Sequence, residues 1–463
     1  MNTPDVSATS SAAVAENLRP VERAERIRSI DVIRGVALLG ILMMNIPYFG
    51  LPEGMLGSLK FDHPGDTNFI THQIVDIAFS GKMRALFSML FGAGVILLTT
   101  RKEHAVGLSV ADIYYRRILW MILFGVLDAY ILLWAGDILY AYGLCGLFLF
   151  PFRKLAPRYL ILASVFCFGV LIFKGNLRFQ ETKGKREAYL KVVALEKQKK
   201  KLTDEQKADK QAWETVVKNG KPDQKKIDEE IKKVRSGYPT VWAYYVPINS
   251  EIQSAVMYNF YFWDAIGMMF LGMALYKLGV FTGRLRRRSY LALMLIGYGI
   301  GIPLGWLAHQ LTLEAHTNFG LYLDTYGFGF PRSTYDIRRV TMALGHVGLI
   351  MIIYKSGWLR GLMSALGAVG QMAFSNYVMQ TLICTFIFFG YGLGYFGKLT
   401  YYQLFYVVAG VWIFQLIASP LWLRHFYFGP LEWAWRSLTY WKRQPFRIPQ
   451  NRTETVISPA QAG

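Results

Sequence analysis

Arg26-Ile-Arg-Ser-Ile-Asp-Val-Ile-Arg-Gly-Val-Ala-Leu-Leu-Gly-Ile-Leu-Met-Met-Asn-Ile46 is mostly apolar and about long enough to cross a bilayer as a helix. Three polar residues interrupt it: Asp31, Arg34 and Asn45. At 100° per residue, positions three and eleven apart share a helix face, so the three line one side. Hydrocarbon cannot solvate them, and such groups face protein or a wet cavity. The first helix is therefore expected to turn a polar stripe inward. A plainer reading stays open: Asp31 complements the dipole at a helix start, and Arg34 snorkels to the headgroups.

Outward from this stretch the pattern repeats. The 463 residues are 53% hydrophobic and 15% aromatic, in long apolar runs. The expected class is all-α, a polytopic helical bundle in the bilayer. A net charge of +20 suggests nucleic acid, but the cations fall between apolar runs and in one long insertion, so nucleic acid is excluded as a partner. Cys145, Cys167 and Cys384 lie in apolar runs without metal-ligand spacing, and no metal is expected.

About ten spans are expected, near 30–47, 81–99, 118–135, 138–152, 159–173, 258–276, 289–308, 338–354, 366–388 and 402–422. This divides the chain into a disordered tail (1–25), a five-span half (26–174), a charged insertion (175–250), a second five-span half (251–440) and a tail (441–463). Asn68–Ser80 reads as an amphipathic interfacial helix. Thr203-Asp-Glu-Gln206 reads as a capping box, and Asp137 as a cap on the fourth span. His309, Glu314, His316 and Asp324 fall in an expected polar loop. With both termini inside, the loops 101–117, 153–158, 277–288 and 355–360 and the C-terminal tail are cytosolic, and all are basic. The insertion is then extracytoplasmic and is expected to be solvated, with no catalytic part.

Polar groups at membrane depth are the candidate site residues: Asn45, Asp128, Asp264, His346, Asn376, Gln380 and Gln415. His346 gains interest if a carboxylate such as Asp128 or Asp264 orients it as a base; otherwise it is a packing histidine. A helix N-terminus with a guanidinium at Arg34 suits phosphate, so acyl-coenzyme A is a candidate donor docking beside Asp31 and Arg34. Asn376 and Gln380 are further candidates for holding it. His63, Asp137 and Asn45 would serve the reacting end. Two readings of other classes stay open. One is a transporter or channel using Asp128, Asp264 and His346; the other is a scaffold whose insertion binds an envelope partner. An oligomer is compatible with the sequence.

Ser29–Asn45, Leu86-Phe-Ser-Met-Leu-Phe-Gly-Ala-Gly94, Trp134-Ala-Gly-Asp-Ile-Leu139, Met372-Ala-Phe-Ser-Asn-Tyr377 with Gln380, and Phe428-Gly-Pro-Leu-Glu-Trp-Ala-Trp-Arg436 occur in this order. Together they resemble the YeiB-like family of bacterial inner-membrane proteins, whose C-terminal half is a domain of unknown function. The resemblance spans nearly all the chain outside the tails and the insertion. It implies a multi-pass inner-membrane protein, distantly similar to transmembrane acyltransferases, including the lysosomal heparan-glucosaminide acetyltransferases. Those move an acyl group from cytosolic acyl-coenzyme A to an acceptor across the membrane, here an envelope acceptor, and use a histidine after the first span. His63 is the counterpart by order, without matching local sequence. The family often has His where this chain has Asp128, and Arg where it has Gln371.

Overall fold

A computed structural model describes residues 27–58, 65–100 and 108–449. His63, the 1–25 tail, loop 101–107 and the last residues lie outside them. The described chain is helical, with one isolated antiparallel β contact, Phe426 to Arg447. In order the helices are α1 (Arg28–Gly50), α2 (Glu53–Ser58), α3 (Thr67–Ala78), α4 (Lys82–Thr100), α5 (Leu108–Tyr130), α6 (Leu139–Leu149) and α7 (Pro157–Lys197). Then come α8 (Asp204–Asn219), α9 (Gln224–Val234), α10 (Tyr238–Glu251), a wide π-type stretch (Ile252–Tyr261), α11 (Phe262–Lys277), α12 (Arg287–Thr317) and α13 (Phe319–Thr325). The chain closes with α14 (Phe330–Ser333), α15 (Tyr335–Ser356), α16 (Arg360–Gln371), α17 (Ala373–Phe388), α18 (Tyr401–His425) and α19 (Pro430–Tyr440).

Among the described residues six helical segments are long and apolar enough to cross a membrane: α1, α3 with α4, α7, α12, α15 and α18. The chain is thus a multi-pass membrane protein. One shorter apolar helix, α17, is present beside them. The expected fifth span does not stop at Lys174. It continues as one 41-residue helix, α7, about 60 Å long at 1.5 Å per residue. The charged stretch is rich in helix formers, with Glu181 and Lys185 paired at 2.7 Å one turn apart, so polarity alone does not end the helix. The expected capping box forms at Thr203 and Gln206, and Asp66 caps α3. His309, Glu314 and His316 are not in a loop but in the last turns of α12.

Lipid tails are as apolar as leucine, so close packing rather than hydrophobic exclusion holds such helices together. Glycines set the crossings. A Cβ at Gly370 of α16 would lie 1.9 Å from the Asp31 carbonyl oxygen, and one at Gly35 of α1 would lie 2.0 Å from that of Leu366. The α4–α11 crossing uses the same device, through Gly92 against Met269 and Gly272 against Met89. The result is a bundle wrapped around α1, whose Ile33, Leu38, Leu42 and Ile46 are fully buried.

Two helices are broken at depth. Between α3 and α4 the chain turns at Phe79-Ser80-Gly81, with Gly81 at φ +76°. Carbonyls left open at such a break need donors, since lipid offers none. Lys82 Nζ donates to the Asp76 carbonyl at 2.5 Å, and His346 Nε2 donates to that of Ala78 at 2.9 Å. The second break, at Met372, separates α16 from α17. The insertion shares a small core with the α12–α13 turn: Trp213 of α8 packs with Leu311 of α12 and with Tyr322 and Leu323 of α13. It is not a purely solvated stalk.

Candidate functional site

A cavity of about 270 Å³ opens beside α1. Asp31 and Arg34 lie on one wall, with Gly370 and Gln371 next to them. The body of the cavity is apolar, with Phe87, Leu90 and Phe91 from α4 and Met121 and Phe124 from α5. It runs from Ile27 and Leu98 at one end to Ile138 and Tyr377 at the other. Arg117, Trp435 and Arg436 also line it, so three arginines face two carboxylates, Asp31 and Glu432.

Each charged group is held. Arg34 Nη1 donates to Asp31 Oδ1 at 2.9 Å and to the Gly370 carbonyl at 3.3 Å. That leaves the rest of its guanidinium fork available. Arg117 lies over the Trp435 ring at 3.9 Å, and Trp435 Nε1 donates to the Arg117 carbonyl at 2.9 Å. Its guanidinium makes no hydrogen bond to a described residue. Glu432 is already used: it accepts from the backbone N–H groups of Phe374 (2.7 Å) and Ser375 (3.1 Å) and from the Ser375 hydroxyl (2.5 Å). This carboxylate from α19 caps the broken start of α17. Glu432→Ala is expected to cost about 2 kcal/mol, because buried N–H groups lose a charged acceptor, and Glu432→Gln roughly half. Thermal size-exclusion midpoints of the two variants check the order.

Of the other expected site residues, the structure brings Asp128 and Asp137 together. Asp137 caps α6, accepting from Leu139 N (3.0 Å) and Tyr140 N (2.9 Å). Asp128 lies against it and against Thr381, although neither of its oxygens has a well-formed donor among the described residues. Tyr377, at the cavity's far end, accepts from Ile138 N at 3.2 Å. His346 has no carboxylate partner among the described residues. Its Nδ1 accepts from the Tyr298 hydroxyl at 2.9 Å, so both ring nitrogens are used. Asn376 and Gln380 are spent between helices. Asn376 Nδ2 donates to Ser419 Oγ at 3.0 Å and Gln380 Nε2 to Gln415 Oε1 at 3.0 Å. Neither is among the cavity-lining residues.

Asn45 is separated from the cavity. Leu38, Ile41 and Leu42 lie between it and Arg34 on the same face of α1, at 0%, 2% and 0% exposure. The expected continuous stripe is therefore two polar ends divided by a dry layer. Beyond the layer, Asn45 is half-buried and Tyr48 is 62% exposed.

Two polar centres join residues that a reading of the sequence alone leaves apart. Asp264 of α11 joins Arg84 of α4 (3.3 Å) and Arg339 of α15, which also bonds Asp336 at 2.5 Å. Asp264, Arg339 and Asp336 are all buried. Arg339 opens its span, where a cation reads as a loop signal; Arg84 begins another. The second centre is His309 Nδ1 on Asp76 Oδ2 at 3.0 Å. These partners are 233 positions apart, and only their presence in apolar helices could have flagged them.

A family model described as a protein of unknown function, DUF418, matches residues 275–442. The chain is 29% identical to the uncharacterized protein YxaH of Bacillus subtilis, over 93% of this chain and 98% of the relative. It is 30% identical to the uncharacterized protein YeiB of Escherichia coli, over 90% of this chain and 96% of the relative. An uncharacterized 39.9 kDa protein of Bacillus acidopullulyticus is 24% identical over 93% and 98%. No solved structure matches. Near-full-length likeness to YeiB, together with the match across residues 275–442, places the chain in the DUF418 family.

Proposed function

We propose that the cavity beside α1 receives the thioester arm of an acyl-coenzyme A, and that the protein passes the acyl group to an acceptor in the cell envelope. The observation carrying this is an apolar slot with arginines at its rim. Arg34 and Arg117 offer N–H groups to phosphate in a low-dielectric setting, where charge-assisted bonds are strong. At about 270 Å³ the slot is at the small end of ligand pockets, which suits an acyl-pantetheine arm with the nucleotide outside. In this reading the basic loops lie in the cytosol with both termini, and the protein resides in the inner membrane. An acceptor hydroxyl or amine attacks the thioester carbonyl, the C–S bond breaks, and the acceptor's proton passes through a base to the leaving thiolate. His346 offers no free ring nitrogen, so His63 serves as base. Asp137, with Asp128 and Tyr377, shapes the far end, and Asn45 waits beyond the dry layer. Purified protein should bind labelled acetyl-coenzyme A, and Arg34→Ala should weaken binding by about tenfold, roughly 1.4 kcal/mol. Absence of binding to the unaltered chain ends the proposal.

The two broken helices favour a second reading, transport of a small solute or protons, since transporter sites are typically built at interrupted spans. Asp128, Asp264 and His346 occupy three different polar centres rather than one path. Flux into proteoliposomes that Asp128→Asn abolishes would select this reading; absence of flux would reject it.

A further inference from the structure

At the opposite end of the bundle from the cavity lies a larger feature, an open groove of about 1220 Å³ between the charged half of α7, α8 and the α12–α14 turn. It lies beyond the end of α15 that carries Arg339, whereas the cavity follows the far half of α4. Lys174, Arg178 and Arg186 lie along one wall, spaced four and eight residues apart on α7. At 1.5 Å per residue this is a row of cations at about 6 and 12 Å intervals. Lys221 and Arg332 add to it from the other walls; Glu181 is the one carboxylate in the lining, and Asp324 reaches Arg186 from beside it.

Three of these cations, Lys174, Arg186 and Arg332, are built in, and Arg178 and Lys221 are exposed between them. Lys174 Nζ donates to the Asn259 side-chain and backbone oxygens, each at 3.2 Å. Arg332 lies over the Phe260 ring at 4.7 Å, and it fits because position 175 is glycine: a Cβ there would lie 2.7 Å from Arg332 Cγ. Arg186 lies over Trp213 at 5.1 Å and pairs with Asp324 at 3.3 Å. It too rests against a glycine, Gly320, where a Cβ would meet the guanidinium carbon at 2.9 Å. Between the cations the walls carry Phe179, Phe260 and Phe319.

We propose that this groove, with its spaced row of cations and interleaved phenyl rings, binds a segment of a repeating anionic saccharide bearing phosphate or carboxylate groups. A row of charges matches a ligand with charges at intervals, and aromatic rings pack the C–H faces of sugar rings. An acidic peptide supplies the charge without those faces. The proposal goes beyond the acyl-transfer reading and is tested with no donor present, so either can fail alone.

The full chain in lipid nanodiscs is titrated against labelled oligogalacturonate and dextran phosphate, with neutral dextran and oligoglutamate of similar length beside them. Both anionic saccharides should bind at least about tenfold tighter than either comparison ligand, with affinity falling as salt rises. Arg178→Glu with Lys221→Glu, both exposed positions, should weaken binding by about tenfold. Gly175→Ala should weaken it with no change of charge, by displacing Arg332. Equal binding of neutral dextran or oligoglutamate overturns the proposal. So does absence of binding, or charge-reversed protein that binds unchanged.

Discussion

Gly370→Val is expected to abolish recovery of folded, monodisperse protein from the membrane. The first carbon of the new side chain would lie 1.9 Å from the Asp31 carbonyl oxygen, a backbone atom that cannot rotate away. Relief requires α16 to move off α1, and α1 is the helix about which the others pack. Such a shift would open the Gly35–Leu366 contact and disturb the Arg34 bond to the Gly370 carbonyl. Ordinary overpacking costs about 1–3 kcal/mol because side chains share the strain; here rigid backbone meets rigid backbone, and the cost is above that range. Gly299→Val in α12 is the matched control. Nothing lies within 4 Å of a Cβ there, so its elution profile and thermal midpoint should equal those of the parent. A stable Gly370→Val protein with an unchanged midpoint would show that the crossing is looser than described.

Asp264→Ala should be nearly as damaging, by a different route. It removes the carboxylate shared by Arg84 and Arg339. Arg339 is fully buried, and Asp336 remains to it alone. Breaking a buried ion pair from one side typically costs about 3–5 kcal/mol, because the surviving charge is stranded. Replacing both ends with apolar groups removes that penalty. The Arg339–Asp336 pair survives this change, so the stranded cation is Arg84, and the double variant Asp264→Ala with Arg84→Met should have a higher thermal midpoint than Asp264→Ala alone. A double variant less stable than the single one would mean that the pair contributes net stability and does not merely neutralise itself.

Local signals were legible in the sequence. Asp137 as a cap, Thr203 with Gln206 as a capping box, and the shared face of Asp31 and Arg34 all follow from spacings of a few residues, and the structure shows each. Asn45 obeys the same geometry, but its neighbours on that face, Leu38 and Ile41, bury themselves and cut the stripe in two. That outcome depends on the helices that pack over this face of α1, which no reading of α1 alone contains. The long-range polar centres were hidden for the same reason. Arg339 and Arg84 look like flanking charges until α11 places Asp264 between them. His346 reads as a packing histidine unless a carboxylate lies at its depth, and its partners are a tyrosine and the open carbonyl of a broken helix. The groove rests on glycines 175 and 320 lying opposite arginines far away in the chain.

Leu38, Ile41 and Leu42 have an electrical consequence as well as a steric one. Arg34 and Asn45 are eleven residues apart, about 16 Å along the helix. If water reaches both ends, the membrane voltage falls mainly across this short insulator and not over the full bilayer. A potential of 100 mV is worth about 2.3 kcal/mol per elementary charge moved across it. A proton or anionic group passing Leu38 would then feel most of that energy within three turns of α1, and its passage would be driven or opposed by the energised state of the membrane.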